Sequence, residues 1–267
     1  MQNGYNRGQG YPDYNQNQYQ GGAPEAAYGQ DPWAAERAMY QQEIAGAMPY
    51  MSKVYAWMFM GLVYTAAVAG AIFYVPAVQE IAFTPAVMYG AVGLQLVIVF
   101  FLHGRMRSMS AGGATAVYFI YSTIMAVIVS VYLKVYMEVN PTAVPMALAA
   151  TGGMFGVMTI VGMTTKKDLS GIGALCGMAF IGIIIASVAN MFVGSSGLSY
   201  IISIVAVVAL VGFTAYDTQM AKREAQALGN SVGAAHAKPM AIFRAMSIYM
   251  NVVLLFLYLL RIFGGRN

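Results

Sequence analysis

The chain has 267 residues, of which 59% are hydrophobic and only 9% are charged. A soluble globular protein carries charges on roughly a quarter of its residues, so this composition excludes an ordinary water-soluble enzyme or binding domain. The net charge of +4 comes from 14 Lys and Arg against 10 Asp and Glu, in a chain whose mean hydropathy is +0.62.

The apolar residues lie in continuous runs about 20 residues long, the length of a helix that crosses the ~30 Å hydrocarbon core of a bilayer. Inside lipid, only helices and closed barrels satisfy every backbone N–H and C=O group. Barrel strands would appear as alternating segments of about ten residues, which these runs do not resemble. The sequence therefore predicts an all-α, polytopic membrane protein surrounded by the lipid bilayer.

The first 50 residues differ in composition from the rest of the chain. Residues 1–42 are rich in Gln, Asn, Gly, Tyr and Pro and hold few aliphatic side chains. Such a segment cannot bury enough apolar surface to offset the entropy lost on ordering. We predict a disordered cytoplasmic tail over residues 1–50, with a short amphipathic helix over Glu36–Ser52, and a membrane domain over residues 51–267. The tail lacks the features of a cleaved signal peptide.

Hydropathy predicts seven spanning helices joined by brief connections. They are Val54–Val75, Pro85–Leu102, Gly112–Leu133, Val144–Met163, Gly171–Val193, Leu198–Met220 and Ala241–Phe263. The second is the shortest and the weakest. The spacings Gly152-x-x-x-Gly156 and Gly173-x-x-x-Gly177 predict two seams where helix backbones approach closely.

The basic residues of the loops predict the orientation. The loops after spans two, four and six hold Arg105, Arg107, Lys166, Lys167, Lys222, Arg223 and Lys238, whereas the opposite loops hold Lys134 alone. This bias places the N-terminus and the basic loops in the cytoplasm. The positive net charge is therefore a topology signal, and we expect no nucleic-acid partner.

The sequence offers no conventional catalytic or metal-binding pattern. Neither His103 nor His236 has a second plausible metal ligand at helical spacing, and the H-E-x-x-H, G-x-S-x-G and P-loop motifs do not occur. Cys176, the single cysteine, cannot form an intrachain disulfide. We therefore expect neither an enzyme nor a bound cofactor.

Asp217, in "GFTAYDTQM" near the cytoplasmic end of span six, is an acid at membrane depth. Such a group is costly and commonly marks an ion or proton path, although an interfacial Asp that simply reaches water is the alternative. Spacings of three, four and seven place four polar residues on one stripe of span seven: Arg244, Ser247, Asn251 and Tyr258. We predict that Asp217 pairs with Arg244 or hydrogen-bonds Asn251.

Two further residues are candidates for a polar lining of the bundle interior. Tyr118 and Ser122 lie one turn apart on span three, and together with Ser247 they are our candidate pore-lining residues. The alternative is that they are buried packing residues with satisfied hydroxyl groups.

Three motifs resemble the transmembrane Bax inhibitor motif family. They are "FTAYDTQM" at the end of span six, "IYMNVVLLFLYLLRIFG" in span seven and "TTKKDLSGIG" after span four. They occur in the family's order, and the resemblance covers residues 51–264. It implies a bundle in which six helices surround the last, a pH-sensitive calcium leak, and, for a bacterial-type member, residence in the inner membrane.

The resemblance also implies a pair of proton-sharing aspartates that closes the cytoplasmic end of a pore. The first aspartate falls on Asp217, but the second falls where this chain has Asn251. A family arginine falls on Arg107, or on Arg105 if the alignment slips. Because Asn251 carries no titrating proton but can donate an N–H, we expect a gate that titrates as a single site. Asp217 is then only a weak calcium candidate, since a hard cation prefers several oxygen ligands.

Three function hypotheses follow. The leading one is a pH-influenced cation leak channel, with calcium as the expected permeant ion and a gate near Asp217. The second is a non-conducting protein that binds other membrane proteins and modulates stress responses or proteolysis, which Asn251 and the tail favour. The third is a proton-coupled transporter of a small solute, in which Asp217 carries the proton.

Overall fold

The structure, a computed structural model, describes residues 34–105, 109–231 and 234–265, and its regular elements there are all α-helices. Residues 44–267 form one compact unit. The eight helices are α1 (Ala34–Tyr74), α2 (Pro76–Ala82), α3 (Pro85–Arg105), α4 (Ala111–Val139), α5 (Ala143–Thr164), α6 (Ser170–Val193), α7 (Ser196–Ser231) and α8 (Ala234–Gly264). The predicted all-α class is confirmed.

Six helices of the described chain are long and apolar enough to cross a membrane. They are α4, α5 and α6 with the segments Pro49–Tyr74 of α1, Ser196–Ala227 of α7 and Lys238–Gly264 of α8. A seventh candidate is a broken span, made of α2 and the Pro85–Val99 part of α3, whose axes differ by 67°. This pair corresponds to the second predicted span, the weakest in the sequence. The observed span differs from the prediction because it also includes α2, which precedes Pro85.

Contacts between helix ends indicate that the broken pair crosses the membrane. Tyr50, at the start of the α1 span, donates its hydroxyl to Glu224 near the end of the α7 span, so these two ends lie on one side. At the other end of α1, the Phe73 ring centroid lies 5.9 Å from Lys134 Nζ, near the end of α4. If only the six long helices crossed, the start of α1 and the end of α7 would lie on opposite sides of the membrane, and so would the ends of α1 and α4. Both contacts therefore require an additional crossing between α1 and α4. A bundle of seven spans is the arrangement that satisfies them.

The last two helices form the centre of the bundle. α8 packs against α4, α5 and α7, and half of the most apolar stretch of both α7 and α8 is buried. The expectation that the last helix is central therefore holds, with α7 buried to the same extent. Because lipid is as apolar as a leucine side chain, close packing and interhelical hydrogen bonds hold such helices together. One such bond joins Tyr249 Oη of α8 and Thr65 Oγ1 of α1 at 2.6 Å.

The glycine seams differ from those predicted. Apart from the adjacent residues and nearby backbone of their own helix, no described atom lies within 4 Å of where a Cβ of Gly152 or Gly156 would stand, so this predicted seam is wrong for the bundle itself. In the second predicted seam, Gly173 does permit a close approach, against the ring of Tyr216 on α7, but an added Cβ at Gly177 would meet no neighbouring helix within 4 Å, so the prediction is wrong for Gly177. The sequence did not single out Gly162 of α5, which lies against the α7 backbone. Spacing along one helix cannot show which face meets a neighbour.

The helices extend beyond the predicted spans, because backbone hydrogen bonding continues after the apolar residues end. α4 ends at Val139 and α7 at Ser231. α1 begins at Ala34, so the short helix predicted over Glu36–Ser52 is continuous with the first span. Residues 1–33 lie outside the described part of the chain, and the disordered tail stays a prediction.

Candidate functional site at the Asp217 carboxylate

The antiparallel pairing of α7 and α8 places four polar side chains opposite one another at two levels. On α7, Asp217 and Glu224 are seven residues apart, which is two turns and the same face of the helix. Arg244 and Asn251 have the same separation on α8. The chains run in opposite directions, so Asn251 lies opposite Asp217 and Arg244 opposite Glu224. At 1.5 Å per residue, the two levels are about 10 Å apart.

The inner level centres on the Asp217 carboxylate, whose side chain is only 7% exposed. Asp217 Oδ2 accepts hydrogen bonds from Asn251 Nδ2 at 2.8 Å and from Ser247 Oγ at 2.7 Å. Its other oxygen, Oδ1, pairs with Arg244 Nη1 at 3.0 Å. Both partners predicted from the stripe on span seven are therefore present, together with Ser247. A buried charge needs this kind of pairing, because an isolated one is too costly to keep ionised.

The outer level joins the same arginine to a second carboxylate. Arg244 Nε donates to Glu224 Oε2 at 3.1 Å, and Nη2 donates to Oε1, so the guanidinium binds Glu224 through two nitrogens. Tyr50 Oη of α1 also donates to Glu224 Oε2, at 3.1 Å. The side chains of Arg244 and Glu224 are 11% and 17% exposed. One guanidinium thus lies between two carboxylates, which leaves one excess negative charge when both are ionised.

Sequence reasoning missed Glu224 and Tyr50. The spacing of seven residues from Asp217 was available as a signal, but Glu224 follows the end of the predicted sixth span. Tyr50 fell at the last position of the predicted tail, and nothing in its neighbours points to α7. The sequence therefore did not predict the second carboxylate, Glu224, that contacts the arginine paired with Asp217.

Tyr118 and Ser122 lie elsewhere, in a buried cluster around Tyr249 on the opposite side of α8. Tyr118 Oη donates to the Trp57 carbonyl at 2.8 Å, and its ring packs edge-on against Tyr249. Ser122 is fully buried, and its hydroxyl has no hydrogen-bond partner among the described residues. Of the three candidate pore-lining residues, only Ser247 contacts Asp217. The pore-lining role itself stays a prediction.

The family arginine cannot be placed. Arg107 lies outside the described residues, and so does the side chain of Arg105, although Arg105 ends α3. Their predicted part in the gate therefore stays a prediction.

The oxygens with which Asp217 could bind calcium already accept hydrogen bonds. Both of its oxygens accept hydrogen bonds from α8, and a guanidinium lies against one of them. Within residues 34–105, 109–231 and 234–265, no three His, Cys, Asp or Glu side chains are grouped as metal ligands. Binding of calcium at Asp217 would therefore require these hydrogen bonds to break first.

The loop between α5 and α6, which carries the "TTKKDLSGIG" motif, is attached to α7 two residues beyond Asp217. Gln219 Oε1 accepts from the Leu169 amide at 2.9 Å, and Gln219 Nε2 donates to the Lys167 carbonyl at 2.8 Å. At the surface, Arg223 Nη2 pairs with Asp168 Oδ1 at 2.8 Å. Hydrogen bonds from Ser170, followed by the Arg223 guanidinium, lower the pKa of Asp168 to about 2.

Comparison with known proteins supports the motifs. A family profile described as "Inhibitor of apoptosis-promoting Bax1" matches residues 47–267. The chain belongs to the Bax inhibitor family. Among similar family members, Inner membrane protein YbhL of Escherichia coli K12 is 37% identical over 227 residues, covering 85% of this chain and 95% of the relative.

Two other bacterial relatives of this Bax inhibitor family chain match over nearly their whole length. An uncharacterized membrane protein of Streptococcus pyogenes serotype M6 is 32% identical over 235 residues, which is 87% of this chain and 99% of that protein. An uncharacterized protein of Deinococcus radiodurans is 35% identical over 233 residues, which is 86% of this chain and 96% of that protein. The similarity therefore covers the membrane domain, including α7, α8 and the carboxylate cluster between them.

Proposed function

We propose that this chain is a cation leak channel of the bacterial inner membrane, with calcium as the permeant ion and a gate at Asp217. The observation that carries the proposal is the buried Asp217 carboxylate, which accepts hydrogen bonds from three side chains of α8. The name of the E. coli relative, an inner membrane protein, supports the inner membrane as the location. The basic loops favour a cytoplasmic N-terminus, and hence a gate at the cytoplasmic end.

The gate would work through the junction of the two central helices. Charge-assisted hydrogen bonds are roughly twice as strong as neutral ones, so the bonds to Asp217 hold α7 against α8 firmly. Loss of the Asp217 charge would remove the ion pair to Arg244 and weaken the bonds from Ser247 and Asn251. The helices could then separate at this level and expose the carboxyl group to water and to a passing cation.

A second function, a non-conducting membrane protein that binds other membrane proteins, has one observation in its favour. The Arg244 guanidinium lies 3.0 Å from Asp217 and places a positive charge where a cation would have to pass. If the Arg244 ion pairs never open, the same cluster would serve only to stabilise the bundle.

Calcium flux into proteoliposomes separates these functions. We would compare the wild type with Asp217→Asn and Asn251→Asp from about pH 5 to about pH 8, a range in which ordinary surface carboxylates stay ionised. The proposal expects a leak in the wild type that rises in Asp217→Asn, and a steeper pH response in Asn251→Asp, where two carboxylates would compete for one proton.

The matched control is Asp168→Asn, which removes an exposed carboxylate paired to α7. Because the pKa of Asp168 is lowered to about 2, any stability that it contributes is complete above about pH 4 and is lost only as the pH falls toward 2. This variant should keep the wild-type pH profile. Absence of flux from every folded variant would favour the non-conducting function, and solute-saturable flux driven by a proton gradient would instead identify a transporter.

A further inference from the structure

Three hydroxyl groups from three helices meet in the interior of the bundle. The Tyr55 hydroxyl of α1 lies beside those of Thr159 on α5 and Thr218 on α7. Each of the three hydroxyl oxygens is shielded from solvent, and none forms a hydrogen bond with any atom of the described chain. The Thr218 side chain is fully buried. We call these three residues the hydroxyl pocket.

The two threonines of the pocket do not use the partner that helical threonines commonly use. A threonine hydroxyl in a helix can donate to the carbonyl of the residue four positions earlier. Thr151 of α5 does so at 2.7 Å, and Thr214 of α7 does so at 2.8 Å. Thr159 and Thr218 lie on the same two helices and make no such bond. Their hydroxyls therefore face a partner in the space between the helices.

Packing at Gly162 orients the side chain of Thr218. An added Cβ at Gly162 would stand 2.8 Å from Thr218 Cβ and 3.1 Å from its methyl carbon, Cγ2. The methyl side of Thr218 thus lies against α5, and this contact does not involve the hydroxyl. Thr159 precedes Gly162 by three residues, which places it on the same face of α5. The contact between α5 and α7 therefore holds both threonines at the pocket.

Two other hydroxyls of α1 show how this helix normally satisfies such groups. Tyr64 Oη lies 2.9 Å from Thr123 Oγ1, and Thr65 Oγ1 lies 2.6 Å from Tyr249 Oη. Tyr55 has no partner of this kind within the described residues. Burial of a hydroxyl group without a hydrogen bond is costly, and three such groups at one place point to a partner that they share.

We propose that the hydroxyl pocket binds a water molecule that bridges α1, α5 and α7. A buried water typically makes about three hydrogen bonds to polar groups that are otherwise unsatisfied. Each hydroxyl of the pocket can donate one bond or accept from the water, so the three groups match its bonding capacity. The pocket supplies no charge, whereas a calcium ion takes about 6–8 oxygen ligands, commonly with carboxylates among them.

The bridging water gives two adjacent residues of α7 different attachments. Asp217 accepts hydrogen bonds from Ser247 and Asn251 and so holds α7 to α8. Thr218, through the water, holds α7 to α1 and α5. The water therefore fixes the depth at which the first span meets the central helices. It would do so whether or not the chain conducts ions, so this site is independent of the proposed channel function.

The first test is hydroxyl-radical labelling by a short X-ray pulse, applied to the full chain in lipid nanodiscs. The pulse produces the radical from water, so a bound water modifies the tyrosine beside it. Tyr55 should be modified, whereas Tyr118, a buried tyrosine whose hydroxyl donates to a backbone carbonyl, should not. Thr218→Val nearly keeps the side-chain shape but removes one partner of the water, and should reduce Tyr55 modification to the Tyr118 level.

Thr214→Val is the matched control, because it removes a buried hydroxyl of α7 that bonds only to its own helix. This variant should leave the modification of Tyr55 unchanged. Equal modification of Tyr55 in the wild type and in Thr218→Val would place the reacting water outside the pocket. An unmodified wild-type Tyr55 would mean that the hydroxyls bond directly to one another. Modification that is present in choline chloride but lost in sodium or calcium chloride would identify a cation instead of water.

Thermal unfolding in detergent tests whether the three hydroxyls act together. Tyr55→Phe, Thr159→Val or Thr218→Val alone leaves the water and the other hydroxyls short of a partner. Each variant should therefore lower the melting temperature by about 2–4 °C. The triple variant has no polar side chain left in the pocket, so its melting temperature should fall by less than the sum of the three single shifts. Additive shifts would contradict a shared water.

Discussion

Arg244 is the residue on which both levels of the carboxylate cluster depend. Its guanidinium contacts Asp217 and Glu224, and its own side chain is 11% exposed. Removing one partner of a buried ion pair leaves an uncompensated charge, which typically costs about 3–5 kcal/mol. We therefore expect Arg244→Met to lower the free energy of unfolding by about that amount, measured by thermal unfolding in detergent.

Two variants define what the Arg244 result means. Arg223→Met also removes an arginine from an ion pair near the end of the bundle, but both side chains of that pair are exposed, so its effect should be much smaller. Adding Asp217→Asn and Glu224→Gln to Arg244→Met should restore most of the lost stability, because no unpaired charge then remains. Equal effects of Arg244→Met and Arg223→Met would mean that the cluster is not a buried one.

Residue spacing explains which parts of the cluster were predictable. Arg244, Ser247 and Asn251 form a stripe on an otherwise apolar span, and such a stripe must face protein or water. Asp217 is an acid among apolar neighbours. Its pairing with that stripe could be predicted by comparing the depth of each residue in the membrane. Tyr50 has no comparable signal, because its contact with Glu224 depends on how α1 packs against α7.

At the level of whole helices, α5 and α7 approach each other closely at Gly162. A Cβ at this position would stand 2.8 Å from Thr218 Cβ and also against the Ala215 carbonyl. Thr218 is adjacent to Asp217, so this contact helps to set the position of the Asp217 carboxylate. We expect Gly162→Ala to reduce the free energy of unfolding by about 1–3 kcal/mol, the usual cost of overpacking a core, measured by thermal unfolding.

Gly156 is the matched control on the same helix. Outside the adjacent residues and nearby backbone of its own helix, no described atom lies within 4 Å of its added Cβ, and alanine is about 1 kcal/mol more favourable than glycine in a helix interior. Gly156→Ala should therefore be neutral or slightly stabilising. If both alanine variants destabilised the protein equally, the close approach at Gly162 would not be the cause.

Helix contacts could be predicted only partly from the sequence. The G-x-x-x-G spacing located glycine-rich faces on α5 and α6, and Gly173 does pack against α7. Gly162 has no glycine four residues away, and its importance comes from Thr218 on another helix. Hydropathy likewise located the broken second span at Pro85 but could not show the 67° bend, because it measures composition and not direction.

For the whole molecule, the structure and the basic loops lead to one topology. Seven crossings place Ser52 and Lys167 on the same side of the membrane and Thr142 on the opposite side. We expect a membrane-impermeant thiol reagent, applied to intact cells of a Cys176→Ser background, to label Thr142→Cys but neither Ser52→Cys nor Lys167→Cys. Permeabilised cells should label all three.

Six crossings give a different labelling pattern, which makes the measurement decisive. If the α2–α3 pair stayed on one side, Ser52 and Lys167 would lie on opposite sides of the membrane. Labelling of Lys167→Cys without labelling of Ser52→Cys would therefore contradict both the seven-span bundle and the contact between Tyr50 and Glu224.

The hydrogen bonds of Gln219 connect the loop over residues 165–169 mechanically to α7. This loop is exposed at Lys166 and Lys167, and Gln219 fastens it to α7 two residues from Asp217. A displacement of α7 would therefore have to displace this loop as well. An antibody fragment that bound this loop from the aqueous side would therefore restrain α7. The protein could then be regulated from its surface by a molecule that never enters the lipid.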